Sequence, residues 1–195
     1  MSGTAHTGDL EHPERVFVIS GPSGVGKNSV ARGLCEGGAA VRAVTATTRA
    51  PRPGERDGVD YHFVSEQEFE RWWREGRLVE RNCYAGRHYG TPASAVNRAA
   101  ESGLPVLLVI DVNGAMEVRR RWPRVRLVFL RPPSEEALLE RLRGRGAEDE
   151  QAIEGRMEQA RREMAMAGRY DHVVVNDRLE DAVRDISRLI TRKDS

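Results

Sequence analysis

The sequence is poor in cysteine: Cys35 and Cys83 are its only two, and they form no CxxC pair. A disulfide scaffold is therefore excluded, and the pattern fits a reduced, cytoplasmic chain with two ordinary thiols. The five histidines (6, 12, 62, 88 and 172) fall at no metal-ligand spacing. No apolar run approaches the ~18 residues of a membrane span. The opening stretch, MSGTAHTGDLEHPER, lacks the apolar centre of a signal peptide, and residues 1–14 are expected to be a disordered tail. Excess charge is missing too. Lys plus Arg total 31 against 30 for Asp plus Glu, a net charge of +1. Neither nucleic acid nor a membrane is expected as the main partner. No internal repeat is evident. A chain of 195 residues suggests one principal domain around a single core.

The apolar residues that are present fall into short runs. Residues 16–20 (VFVIS) are rich in β-branched side chains and lead into a glycine loop, which predicts a buried strand, a loop and then a helix over 27–35. Residues 105–112 (PVLLVIDV) and 126–130 (RLVFL) are nearly continuous apolar runs, as parallel strands covered on both faces should be. Another strand begins at His172. Helical patterns lie between them, over 66–75, 115–122, 135–143, 150–167 and 179–191. Ser65 with Glu68 has capping-box spacing, and Pro92 after Thr91 sits where a first helical residue often is. Alternating strands and helices imply an α/β fold with a parallel sheet. Residues 44–90 break the alternation with short runs and a turn-rich segment. They read as a small β-rich lobe inserted into the α/β core.

Residues 21–27, GPSGVGK, match G-x-x-x-x-G-K. Glycines let the backbone wind so that successive N–H groups point at phosphate oxygens, and the following helix adds its positive end. Gly21, Pro22, Ser23, Gly24, Val25 and Gly26 are thus candidates to cradle a triphosphate. Lys27 would place a charge on the β- and γ-phosphates. The position after the lysine usually carries Ser or Thr, whose hydroxyl meets Mg2+; here it is Asn28, followed by Ser29. An amide oxygen can also ligate Mg2+, directly or through water, so Asn28 is a candidate metal ligand beside the ATP phosphates.

Residues 45–55 (TATTRAPRPGE) and 57–63 (DGVDYHF) form a second dense cluster. Pro51 and Pro53 stiffen the backbone on both sides of Arg52. Two arginines on a stiff segment near a tyrosine hydroxyl suit a phosphate monoester dianion. Taken with the glycine loop, these strings make the chain resemble the guanylate kinase family over residues 16–191. The matching strings are GPSGVGK, TTRAPRPGE, DGVDYHFV, HYGTP, IDVNGA, RLRGRG and VVVND.

That resemblance implies a P-loop NTPase three-layer α/β fold with a parallel central sheet, an inserted β-rich GMP-binding lobe and a helical lid. The expected division is a core (15–43, 91–134 and 170–195), a GMP lobe (44–90) and a lid (135–169). The activity implied is transfer of the γ-phosphate of ATP to GMP or dGMP with Mg2+. By the family pattern Arg49, Arg52, Tyr61 and Tyr89 hold the GMP phosphate. Glu80 accepts from guanine N1 and the 2-amino group, Thr91 meets O6, and Thr45 and Asp111 complete the base site. A carboxylate at Glu80 makes chemical sense by itself, because adenine offers no such pair of donors.

Arg141, Arg145 and Arg156 close over the ATP phosphates by the same resemblance, and Asn176 lies near the adenine. Cations placed there would stabilise the charge that spreads over the equatorial oxygens during phosphoryl transfer. Two further departures accompany Asn28. Val109 stands where the family usually has an acid, and Asn113 where it usually has glutamine. Two alternatives stay open: a kinase of the same fold with another phosphorylated acceptor, and a catalytically impaired guanylate kinase-like binding module. Glu80 and Thr91 speak against the first; Lys27, the loop glycines and the lid arginines speak against the second.

Overall fold

The computed structural model describes residues 8–84, 86–144 and 150–191. Five parallel strands form the central sheet: β1 (Val16–Ser20), β2 (Val41–Arg42), β7 (Val106–Val109), β8 (Arg126–Arg131) and β9 (His172–Val175), in the order β2-β7-β1-β8-β9. Their continuous apolar runs split by parity. Val16 and Val18 join Val106, Leu108, Leu127 and Phe129 on one face, packed on α3 (Ala93–Ala100) and α4 (Val112–Arg121). Phe17 and Ile19 join Leu107, Val128 and Leu130 on the other, packed on α1 (Lys27–Glu36) and α7 (Leu179–Thr191). Burial of each such side chain contributes about 1.5–3 kcal/mol, which is why β7 and β1 up to Ser20 are apolar on both faces.

A second sheet has the order β4-β3-β6-β5, from β3 (Ala46–Thr47), β4 (His62–Phe63), β5 (Leu78–Tyr84) and β6 (Arg87–Pro92). Between β4 and β5 lies α2 (Glu66–Arg74), and the Ser65 side chain accepts from the Glu68 N–H at its start. Phe69 of α2 packs with Ala46 and Leu78 in a separate small core. β6 runs on to Pro92, past the boundary expected at residue 90. Pro92 is the cap of α3 and not its first residue, and Thr91 lies in the strand. α5 (Glu135–Arg143) and α6 (Glu150–Met164) pack together through Leu138, Leu142, Met157 and Ala160.

Residues 8–14 correct the expectation of a disordered tail. Leu10 is buried in the main core. Asn97 of α3 clamps the backbone on both sides of it, donating to the Asp9 carbonyl (3.0 Å) and accepting from the Glu11 N–H (3.1 Å). One buried leucine and two paired backbone groups suffice to order a short polar segment. Residues 1–7 lie outside the described residues.

Candidate active site

The carboxyl ends of the parallel strands carry the site, as the topology of an open α/β sheet favours. The chain leaves β1 into the glycine loop, leaves β7 at Val109–Asp111, and leaves β9 at Asn176. A cleft of ≈ 530 Å³ opens there. Gly21, Ser23, Lys27 and Asn28 line one end, and Thr45, Tyr61, Glu80 and Tyr89 the other, with Val109 and Asp111 between. Arg156 covers it from α6.

The loop is fixed by close packing. Gly26 has φ 98°, and a Cβ there would lie 2.5 Å from the Asn176 amide nitrogen. Gly24 has φ 87°, and a Cβ there would lie 2.7 Å from a Leu142 methyl of α5. Both positions require glycine on two counts, backbone conformation and space. Asn176 is buried, and its side chain donates to the Val25 carbonyl at 2.7 Å. The structure thus uses this residue to brace the loop. Lys27 Nζ donates to the carbonyls of Gly21 (2.6 Å) and Pro22 (3.0 Å), so the ammonium lies along the loop rim. Asn28 is exposed to the cleft, and Ser29 is half-buried on the first turn of α1.

Of the arginines expected in the lid, Arg156 donates to Ser23 Oγ at 2.8 Å and joins the loop directly. Arg141 donates to the backbone carbonyls of Asn176 (2.9 Å) and Asp177 (3.3 Å) and does not line the cleft. Arg145 lies outside the described residues.

At the other end Glu80 is 2 % exposed. The Thr91 hydroxyl donates to its Oε1 at 2.8 Å. Burial pushes the carboxyl up to about 7; the Thr91 bond opposes this, and the charges of Asp111 and Glu117 add to it. Asp111 accepts the Gly114 N–H at 2.8 Å and caps α4.

The arginine-rich turn is organised by Glu55. One carboxylate oxygen meets the Arg49 guanidinium at 2.9 Å, and the other accepts the Arg52 N–H at 2.7 Å. The Arg49 contact is the largest cause holding the Glu55 carboxyl below its ordinary range. Arg49 also stacks near the Tyr61 ring, 5.4 Å from its centroid, and Tyr61 meets Tyr89 edge-on at 6.2 Å. Arg49, Tyr61 and Tyr89 therefore form one group. The Arg52 side chain is exposed and stands apart from the cleft lining.

Several lining residues escaped the sequence reading: Arg42, Asn82, Cys83, Gln159 and Glu163. Two signals were available. Asn82 follows Glu80 at strand period, and Gln159 and Glu163 follow Arg156 at helical period. Nothing local marks Arg42 or Cys83.

Comparison with known proteins agrees with this geometry. The family model described as guanylate kinase matches residues 13–193. A guanylate kinase of Gloeobacter violaceus is 50% identical over 181 residues, covering 92% of this chain and 88% of that protein. One from Thermobifida fusca is 45% identical over 181 residues, covering 92% of each. The crystal structure of guanylate kinase from Anaplasma phagocytophilum superposes with a TM-score of 0.68 at 32% identity, covering 90% of this chain and 83% of that one. A family match over nearly the whole length, on a fold that joins a glycine loop to a buried carboxylate across one cleft, is decisive: the chain belongs to the guanylate kinase family.

Proposed function

We propose that this protein transfers the γ-phosphate of ATP to GMP, and to dGMP, giving ADP and GDP. The observation that carries the reading is one cleft with a phosphate loop at one end and, at the other, the buried Glu80 carboxylate, which Thr91 supports from behind the lining. Ionised Glu80 accepts from N1–H and the 2-amino group of guanine, and Thr91 addresses O6. Thr45 and Asp111 flank the base. Arg49, Tyr61 and Tyr89 hold the acceptor phosphate, and Arg52 joins them as the lobe closes. An oxygen of that phosphate attacks the γ-phosphorus. The new O–P bond forms as the bond to the β,γ-bridging oxygen breaks, and ADP leaves with that electron pair.

Lys27 and the backbone N–H groups from Gly21 to Gly26 hold the triphosphate. Arg156, with Arg141 and Arg145, stabilises the charge on the transferring group. Mg2+ would neutralise the phosphates, which themselves supply much of its coordination. The donor set facing the cleft fits a hard cation, with the Asn28 amide oxygen and the Asp111 carboxylate, while Val109 supplies nothing. A cytoplasmic setting is part of the same reading, and the unpaired thiols of Cys35 and Cys83 are compatible with it. No helix among the described residues is long and apolar enough to cross a membrane.

The test is ADP release in a coupled assay with GMP, dGMP, AMP, UMP and ribose phosphates. GMP and dGMP should turn over in preference to the rest. Preference for a sugar phosphate would favour the other-acceptor kinase, and ATP binding without ADP release would favour a binding module. The three-part division also implies closure. Small-angle scattering should show a smaller radius of gyration with GMP and an ATP analogue bound together, and an unchanged radius would count against closure.

A further inference from the structure

We propose that Arg121 is a positioning residue for the acceptor base, because it holds the backbone bulge that aims Glu80. The inference rests on the reading of Glu80 as the guanine-binding carboxylate. β5 and β6 are antiparallel, with Leu78 opposite Pro92 and Glu80 opposite Thr91. Val79 is therefore an extra residue in β5. Were Val79 paired instead of bulged, the register set by Leu78 and Pro92 would place Val79 opposite Thr91 and Glu80 opposite Gly90. The bulge is what puts the carboxylate against the threonine hydroxyl, 2.8 Å away.

A bulge takes backbone groups off the ladder, and in a buried setting those groups need other partners. Arg121 supplies them. Its Nη1 donates to the Leu78 carbonyl at 3.0 Å and to the Val79 carbonyl at 3.4 Å. The guanidinium is itself held over the Trp122 ring, 4.2 Å from the centroid, and Trp122 is buried in the main core. The same helix acts at its other end. A Cβ on Gly114 would lie 3.3 Å from Glu80 Oε2, so glycine there makes room for the carboxylate. Asp111 caps that turn through the Gly114 N–H. α4 thus meets β5 at Glu80 and at the bulge before it, with space at its first turn and donors at its last. Arg121 does not line the cleft, so it acts through Glu80 and not on the substrate.

Arg121→Met keeps the apolar stem and removes the donors, whereas Arg121→Lys keeps a donor. Steady-state kinetics should be measured with GMP and ATP varied in turn. Arg121→Met should raise KM for GMP about tenfold, the equivalent of about 1.4 kcal/mol. It should leave KM for ATP within about twofold, and Arg121→Lys should fall between Arg121→Met and the parent. Combined with Glu80→Gln, Arg121→Met should add little further, because both act through one group. Ile190→Val, in the core on the opposite face of the sheet, should lower the melting temperature without moving either KM. The proposal is overturned if Arg121→Met lowers the melting temperature but keeps the parent ratio of KM values, or if its effect multiplies with that of Glu80→Gln. Should Arg121→Met fail to fold, Arg121→Lys carries the same split: KM for GMP raised alone supports the proposal, and parent values overturn it. A parent that turns over no GMP would instead sink the reading of Glu80 itself.

Discussion

The two ends of the cleft, each proposed to hold a nucleotide, are built by different means. The loop end is made mostly of backbone. Glycines at 24 and 26 take positive φ where a side chain would be strained and crowd Leu142 or Asn176, and Asn176, just after β9, ties the Val25 carbonyl. What such a cradle needs is a path of the chain, so exchanging one side chain at its mouth, as at Asn28, leaves it standing. The base end depends on one buried side chain. Glu80 is held by a hydroxyl, a strand bulge and a glycine on the facing helix, and burial works against its charge. Side chains at the mouth of the loop, such as Asn28, should therefore tolerate exchange although its glycines should not, and the buried carboxylate at the base end should not either.

Glu80→Gln should have the largest effect. It keeps the size but sets a donor against guanine's donors. kcat/KM for GMP should fall by the equivalent of ~2–3 kcal/mol, roughly 30- to 150-fold, with KM for ATP unchanged. Unaltered GMP kinetics would remove Glu80 from the base site. The same variant should be more stable than the parent at high pH. The Glu80 carboxyl is raised from 4.5 to about 7, so between these values the folded chain binds more protons than the unfolded one. Stability then falls as pH rises through that window, and above it the buried charge costs about 3 kcal/mol. Denaturant unfolding should show Glu80→Gln ahead by up to that amount at pH 8 and by nothing near pH 4. A constant difference across pH would contradict the burial argument.

Asn176→Ala comes next. Loss of the donor to Val25 should weaken binding of an ATP analogue by ~1–2 kcal/mol and leave GMP binding alone, as titration calorimetry would report. An effect on GMP of equal size would mean the loop is not what Asn176 serves. Asn28→Ser should be the smallest. A Mg2+ titration of the initial rate should move by ~1 kcal/mol or less, the scale of one exchanged ligand or hydrogen bond. If the parent were inactive at every Mg2+ or Mn2+ concentration and Asn28→Ser restored transfer, the loop end would prove as intolerant as the base end.

The same contrast separates what the sequence revealed from what it hid. The parallel strands were legible because burial on both faces leaves unbroken apolar runs, and the loop because its glycines and Lys27 sit between a strand and a helix. Glu80 and Thr91 were found by resemblance, but their mutual bond was not, since it depends on an extra residue in β5 that no local pattern marks. Arg121 was hidden for the same reason: its partners are carbonyls more than 40 positions away in the chain. Thr91 followed by Pro92 read as a helix start, yet the strand runs through both, because pairing with β5 outweighs a local capping preference. Residues 8–14 look like a tail by composition, whereas the Asn97 clamp and the pocket for Leu10, both far off in the chain, order them.

GMP affinity measured from pH 6 to pH 8, for the parent and for Glu80→Gln, tests the division of labour most directly. If Glu80 reads the base as proposed, guanine's donor edge requires the ionised carboxylate, and a parent carboxyl near 7 must lose its proton on binding below that pH. The nucleotide phosphate, which titrates near pH 6, is common to both proteins and cancels in their ratio. The parent should lose about tenfold in affinity at pH 6 beyond whatever Glu80→Gln loses. Parallel curves for the two proteins would show that Glu80 does not read the base.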